Sequence, residues 1–267
     1  MHISTGTTQS TFALLQLQFR VIVAIMLRDI RTRFFGHGVG YLAMIAWPLT
    51  HILILLAIFV LLGRSSPYGE SMTLFFATGL VPFMAYSYMS RWTMLSLIFN
   101  RPLLVFPAIK TLDVLLARAL LELLGNCCSI ILLLFIFWTL DIDFMPADLV
   151  QASFALGAGM LLGAGFGIIN GVIAMGFPTW GTGYGLVLVL MYMISGIYFV
   201  PDALPETVRN ILSYNPSLQT VEWMRSAYYE GYSTILDKSY TVWFGLVTIF
   251  LGLIIERFVR GHLLISR

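Results

Sequence analysis

Charge is the scarcest commodity in this sequence. Only 10% of its 267 residues are Asp, Glu, Lys or Arg, while 59% are hydrophobic and the mean hydropathy is +0.89. A soluble domain carries roughly 25% charged residues, so the composition excludes that class and reads as a polytopic membrane protein. Lysine is limited to Lys110 and Lys238, and neither stands in a GxxxxGK[ST] pattern, so the chain has no P-loop for ATP. The only cysteines, Cys127 and Cys128, are adjacent in an apolar run. They make no CxxC and no disulfide pair, and read as small residues packed in a span. The histidines His2, His37, His51 and His262 are scattered without ligand spacing, which leaves no metal site. There is no GxSxG, and the acids do not pair within a span. No catalytic constellation and no cofactor site are expected. A net charge of +2 is too small to point to nucleic acid. The first twenty residues lack a basic leader and a small-residue cleavage site, so the N-terminus reads as retained.

What is present is length in apolar runs. Six come near the roughly 20 residues needed to cross a bilayer: 40–62, 71–92, 116–140, 149–176, 182–200 and 239–255. In the fourth, Gly159, Gly163 and Gly167 are spaced four apart. Such a stripe allows close helix packing, on another helix of the same chain or on a dimer partner. Basic residues set the orientation. With a cytoplasmic N-terminus, eleven fall inside (Arg20, Arg28, Arg31, Arg33, Arg91, Arg101, Lys110, Arg118, Arg257, Arg260, Arg267). Four fall outside: Arg64, Arg209, Arg225 and Lys238. The link "LDIDFMPADL" has three Asp residues and no base. Both termini are therefore expected to be cytoplasmic.

Two inner segments stand apart. Residues 12–36 begin as an amphipathic helix, with Arg28 and Arg31 on one face and Leu27, Ile30 and Phe34 on another, and end in Gly36, Gly38 and Gly40. Such a helix lies in the membrane interface, with Arg28, Arg31 and Arg33 near anionic headgroups, or also meets a partner. Residues 98–110, "IFNRPLLVFPAIK", carry Pro102 and Pro107 around Leu103, Leu104, Val105 and Phe106. An uncovered loop has little use for that "LLVF", so lipid or a cytoplasmic partner is expected over it. Of the charges near spans, Arg91 can snorkel from the inner end of the second, and Arg118 and Glu122 can pair one turn apart. His51, inside the first span, reads as a hydrogen-bonded packing residue or a functional one. "GTGYG", 181–185, looks like a potassium filter but sits in the turn between spans four and five. Its glycines are read as a turn with close packing.

After the fifth run comes "YFVPDALPETVRNILSYNP", chopped by prolines although Val208, Ile211 and Leu212 keep helical spacing. Pro205 suits a first helical turn, Asn215-Pro216 reads as an N-cap followed by Pro, and Gly231 can close the second helix. Glu222 and Arg225 are spaced to pair.

"LRDIRTRFFGHGVGYLAMIAWP", "NRPLLVFPAIKTLDVLLARALLE" and "SGIYFVPDALPETVRNILSYNPSLQTVEWMRSAYYEGY" together resemble the permease subunit of ABC-2-type polysaccharide exporters, most like the capsular branch. The resemblance runs over nearly the whole chain, and 1–267 reads as one transmembrane domain. It implies an all-α polytopic membrane protein with six transmembrane helices, an N-terminal interface helix and two short re-entrant outer helices over 201–231. It implies a homodimer bound to two ATP-binding cassette subunits, which would hold the ATP and Mg. Asn100, Arg101, Pro102, Leu103, Leu104, Val105, Phe106 and Pro107 would then couple to that partner. Pro201, Pro205, Val208, Ile211, Asn215, Pro216, Glu222 and Arg225 would belong to an outer gate. A polysaccharide is too long to be enclosed, so it must thread a channel, and aromatic rings can stack on sugar faces. Tyr41, Trp47, Tyr86, Tyr88, Tyr184, Tyr192 and Tyr198 are the lining candidates, each equally readable as a belt residue. The expected setting is a bacterial inner membrane, with periplasmic partners carrying polymer onward. Rival readings are an O-antigen or teichoic-acid permease, a small-amphiphile permease, a membrane-embedded transferase and a purely structural partner.

Overall fold

In the computed structural model, residues 11–33, 40–63, 65–106, 108–177, 179–232 and 235–265 are described. Among them are nine α-helices and no strands. The helices are α1 (Thr11–Arg33), α2 (Gly40–Leu61), α3 (Met72–Phe99), α4 (Thr111–Thr139), α5 (Leu149–Gly176), α6 (Trp180–Ile194), α7 (Glu206–Leu212), α8 (Pro216–Tyr228) and α9 (Lys238–Ile265). Five of them, α2, α3, α4, α5 and α9, are long and apolar enough to cross a membrane.

α5 lies at the centre, packed against α3, α8 and α9. Its start is set by Asp148, whose carboxylate accepts from the backbone N–H groups of Val150 at 2.9 Å and Gln151 at 3.0 Å. The glycine stripe then decides how close α3 can come. A methyl group on Gly163 would sit 2.5 Å from the Tyr86 carbonyl oxygen, and one on Gly159 would sit 2.9 Å from that of Pro82. On Gly167 it would meet the Ser90 carbonyl oxygen at 2.7 Å. The small-residue face is thus used within the chain, where van der Waals packing is the main force joining helices in lipid. On the opposite side Gly165 admits Thr248 of α9.

Several expected boundaries move. The fifth run was expected to span 182–200, but α6 stops at Ile194 after 15 residues. That is about 22 Å, short of a hydrocarbon core of about 30 Å. Ser195 ends the helix and Gly196 takes a left-handed φ of +75°, the usual helix stop, although the apolar run continues. The second, third and sixth runs grow instead: α3 continues to Phe99, α4 begins at Thr111 and α9 reaches Ile265. Polar residues read as loop are helical because neighbours satisfy them. Asp113 caps α4 by accepting from the Lys110 N–H at 2.9 Å, and Thr111 donates to Glu256 of α9 at 2.7 Å. Gly181, Gly183 and Gly185 lie within α6 and not in the turn expected there; residue 178, just before the helix, is outside the described residues.

α1 packs on α4 and α2. Its buried residues are Ile22 and Ile25, packed with Leu104, Val114 and Ala117; of the apolar face read from the sequence, Leu27 is exposed and Ile30 half-buried. Residues 34–39, with Phe34, Gly36 and Gly38, lie outside the described residues, as do Arg64, Pro107 and Arg267.

Candidate functional site

Three places gather the residues singled out above. The first is the segment between α3 and α4. Asn100, 1% exposed, closes α3 through its backbone N–H to the Ser96 carbonyl, and its side-chain Nδ2 donates to that same oxygen at 3.0 Å. Its own carbonyl accepts from the Leu103 N–H at 2.9 Å, starting a 3-10 helix over Arg101–Val105 with Pro102 in the first turn. Leu104 is buried by α1 and α4, so one residue of "LLVF" is covered by the chain itself. Leu103 is half-buried, while Val105 and Phe106 are 70% and 59% exposed. Pro107 is outside the described residues. Two hydrogen bonds from α1 hold the ends of the segment: Arg28 donates to Asn100 Oδ1 at 2.5 Å, and Gln18 donates to Asp113. Arg31 is exposed, and Arg33 is the last residue of α1.

The second place is the outer segment. Pro201 is buried at the head of a 3-10 turn, Pro201–Ala203. Pro205 sits just before α7, not in its first turn as expected; the helix begins at Glu206. Val208 and Ile211 are 43% and 68% exposed. Asn215 is the N-cap of α8, its side chain accepting from the Ser217 N–H at 3.1 Å with Pro216 at the first helical position. Its Nδ2 reaches back to the Ile194 carbonyl at 3.1 Å, and Ser217 hydrogen-bonds Ser195. Gly231, φ +68°, follows the end of α8.

α8 is itself core. Glu222 and Arg225 are both fully buried, with Arg225 Nη1 3.6 Å from Glu222 Oε1. The guanidinium donates to the carbonyls of Phe199 at 3.0 Å and Ile197 at 3.1 Å, and lies 3.9 Å from the centroid of the Phe75 ring. Tyr232 donates to Glu222 at 2.9 Å, and burial, then the Glu222 charge, holds its phenol above its usual range. Only the Glu222–Arg225 spacing was visible in advance. Ile197, Phe199, Phe75 and Tyr232 have no sequence signal that links them to Arg225.

The third place is the aromatic set. Tyr86 and Tyr184 are 2% exposed inside the protomer, Tyr184 bonded to Ser90. Tyr192 and Tyr198 pack edge-on, their ring centroids 5.3 Å apart. Trp47 is 65% exposed, Tyr41 is half-buried beside Cys128, and Tyr88 hydrogen-bonds His51 at 3.0 Å. Deeper between α3 and α4, Arg118 and Glu122 pair as their spacing predicts, with the Arg118 guanidinium 5.0 Å from the centroid of the Trp92 ring.

The described residues thus form an all-helical bundle with a short 3-10 helix between α3 and α4 and two short helices, the second of them buried, before α9. The family model described as "ABC-2 type transporter" matches residues 20–229. The chain is 33% identical over 243 residues to the Polysialic acid transport protein KpsM of Escherichia coli, covering 91% of this chain and 94% of that protein. It is 28% identical over 251 residues to the Capsule polysaccharide export inner-membrane protein CtrC of Neisseria meningitidis serogroup B, covering 92% and 94%. The O-antigen export system permease protein RfbA of Klebsiella pneumoniae is 25% identical over 80% of this chain and 82% of its own length. With the family model covering most of its length, this multi-span chain belongs to the ABC-2 type transporter family, whose members are transport subunits rather than enzymes.

Proposed function

We propose that the chain is the channel-forming permease subunit of an ATP-driven exporter that moves a capsular polysaccharide across a bacterial inner membrane. The carrying observation is similarity over nine-tenths of its length to proteins named for polysialic acid transport and for capsule polysaccharide export. The sequence has no P-loop, so energy comes from separate ATP-binding subunits that hold ATP and Mg. The exposed Val105 and Phe106 suit an apolar groove on that partner. In this reading two copies form the channel, and both termini face the cytoplasm. α6 and the bends after it make the sixth crossing, and periplasmic proteins receive the polymer. A chain of sugars cannot be enclosed by alternating access. It threads, and movement of the 100–107 segment by the ATPase opens or drives the path. O-antigen export is the second reading, favoured by the Klebsiella pneumoniae relative.

The test is a strain lacking this chain. Polymer should accumulate inside the cell and vanish from its surface, and the wild-type chain should restore display. Absence of polymer altogether would point to synthesis, and normal display would sink the export reading.

A further inference from the structure

Polar side chains stand on the surface of this protein where a lipid-facing surface must be apolar. His51 is near the middle of α2, about 16 Å along the axis from Gly40, and Tyr88 is about 16 Å from the Phe99 end of α3. The His51 ring Nδ1 and the Tyr88 hydroxyl are 3.0 Å apart, on exposed surface. One turn nearer the loop end, on the same face of α3, Arg91 is exposed as well. It lies about 12 Å along the axis from Phe99, because α3 runs beyond the apolar run that placed this arginine at a span end. Trp47 flanks Tyr88 and is 65% exposed. From α6, Gly185 faces the guanidinium: a β-carbon there would lie 3.3 Å from Arg91 Nη1.

Other helices show what the lipid face looks like. α4 exposes Leu116, Leu120, Leu123 and Leu124, and α9 exposes Leu246, Val247 and Phe250. Imidazole, phenol and guanidinium groups at membrane depth are tolerated where they meet water or protein. Among the described residues no carboxylate pairs with Arg91, and Glu122, which lines a pocket with Trp47 and Tyr88, is engaged by Arg118. A guanidinium without a carboxylate, beside a phenol, presents a planar fork of donors that matches two oxygens of a carboxylate or phosphate. Gly185 leaves open the space that a side chain on α6 would fill.

We propose that Arg91, Tyr88 and His51 form an anion subsite on the conduit wall, taking a carboxylate or phosphate group. The group comes from the acidic polymer in transit or from a lipid headgroup. The inference rests on the export reading in one respect, that this face lines a wet path. A transport subsite must hold its ligand loosely enough to pass it on, so a weak, charge-selective contact is what one arginine should supply.

The test uses the chain purified with its ATPase in nanodiscs of phosphatidylcholine alone or with added phosphatidylglycerol. The probes are a sialic acid hexamer and, as an uncharged control, maltohexaose. In phosphatidylcholine the wild type should bind the sialic acid hexamer in preference to maltohexaose. Arg91→Gln should weaken that binding at least tenfold, and Arg91→Lys should lose less. Gly185→Leu, which fills the space without altering charge, should weaken it too. If the hexamer does not bind but phosphatidylglycerol stays with the wild type and not with Arg91→Gln, the subsite stands and its ligand is a headgroup. If phosphatidylglycerol retention is unchanged in Arg91→Gln, then equal binding of the two hexamers, no binding of either, or a charge preference that survives in Arg91→Gln would each overturn it. Failure of the export reading shows separately, as normal polymer display in cells lacking the chain.

Discussion

Arg28 and Asn100 lie 72 residues apart in sequence and share a 2.5 Å hydrogen bond between α1 and the end of α3. Ten residues earlier on α1, Gln18 donates to Asp113 at the head of α4. Asn100 and Asp113 are both 1% exposed and bracket the segment that presents Val105 and Phe106. α1 therefore braces both ends of that segment, and Leu104 packs between them against Ile22 and Ile25. In the export reading, a push on Phe106 is delivered to α1 and α4 together.

A double-mutant cycle reads this brace. A hydrogen bond involving a charged group is worth about 1.5–3 kcal/mol. Arg28→Ala and Asn100→Ala should each lower stability by roughly that amount, and the double variant should lose little more than either. Thermal unfolding in detergent measures all three. Simple additivity would show that the two side chains act independently.

The docking segment makes a sharper contrast. Phe106→Asp changes a 59% exposed side chain, so the permease should insert and fold as usual yet fail to co-purify with its ATPase. Leu104→Ala removes a 4% exposed side chain from the α1–α4 contact and should cost about 2–5 kcal/mol instead. Co-purification, read beside unfolding midpoints, separates the two. An unimpaired complex with Phe106→Asp would move the docking site elsewhere.

Helix positions were legible because hydrophobic runs of about 20 residues have few other uses. Helix ends were not. Arg91 and Arg118 read as lying near the inner ends of their spans because charge is costly in lipid, yet the fold continues both helices past them and takes Asp113 into α4. Asp113 is spent on a cap and Arg118 on Glu122. α6 fails in the other direction, since Gly196 turns the chain while Tyr198, Phe199 and Val200 keep the run apolar. In the outer segment the Asn215-Pro216 cap is a local signal and was readable. The carbonyls that hold Arg225 come from Ile197 and Phe199 on another element, and no periodicity points to them.

The α3–α5 contact predicts that position matters more than residue type along the glycine stripe. A methyl group at Gly163 meets a backbone oxygen at 2.5 Å, whereas one at Gly157 meets nothing within 4 Å. Gly163→Ala should cost about 1–3 kcal/mol through overpacking. Gly157→Ala should be neutral or stabilising by up to about 1 kcal/mol, from helix propensity alone. Unfolding in detergent or bicelles compares them, and equal effects would mean the helices can move apart freely.

Arg225 supports the most demanding prediction, because the residue ties three elements together. Its guanidinium bonds two carbonyls of the segment after α6, faces Glu222 on its own helix and stacks on Phe75 of α3. Arg225→Ala strands a fully buried carboxylate, which should cost about 3–5 kcal/mol. Arg225→Lys keeps the charge but loses the two-armed geometry, so it should restore only part of the loss. Glu222→Gln in the Arg225→Ala background removes the stranded charge and should recover stability without recovering the tie to Ile197 and Phe199. If that tie holds the outer segment in place, the double variant should be well folded, bind its ATPase and still export less polymer. A cysteine at Ile211, 68% exposed on α7, should then react faster with a bulky impermeant thiol reagent than in the parent chain. Full export by the double variant, with unchanged labelling at Ile211, would reduce Arg225 to a packing residue and leave any movement of the outer segment to α7 alone.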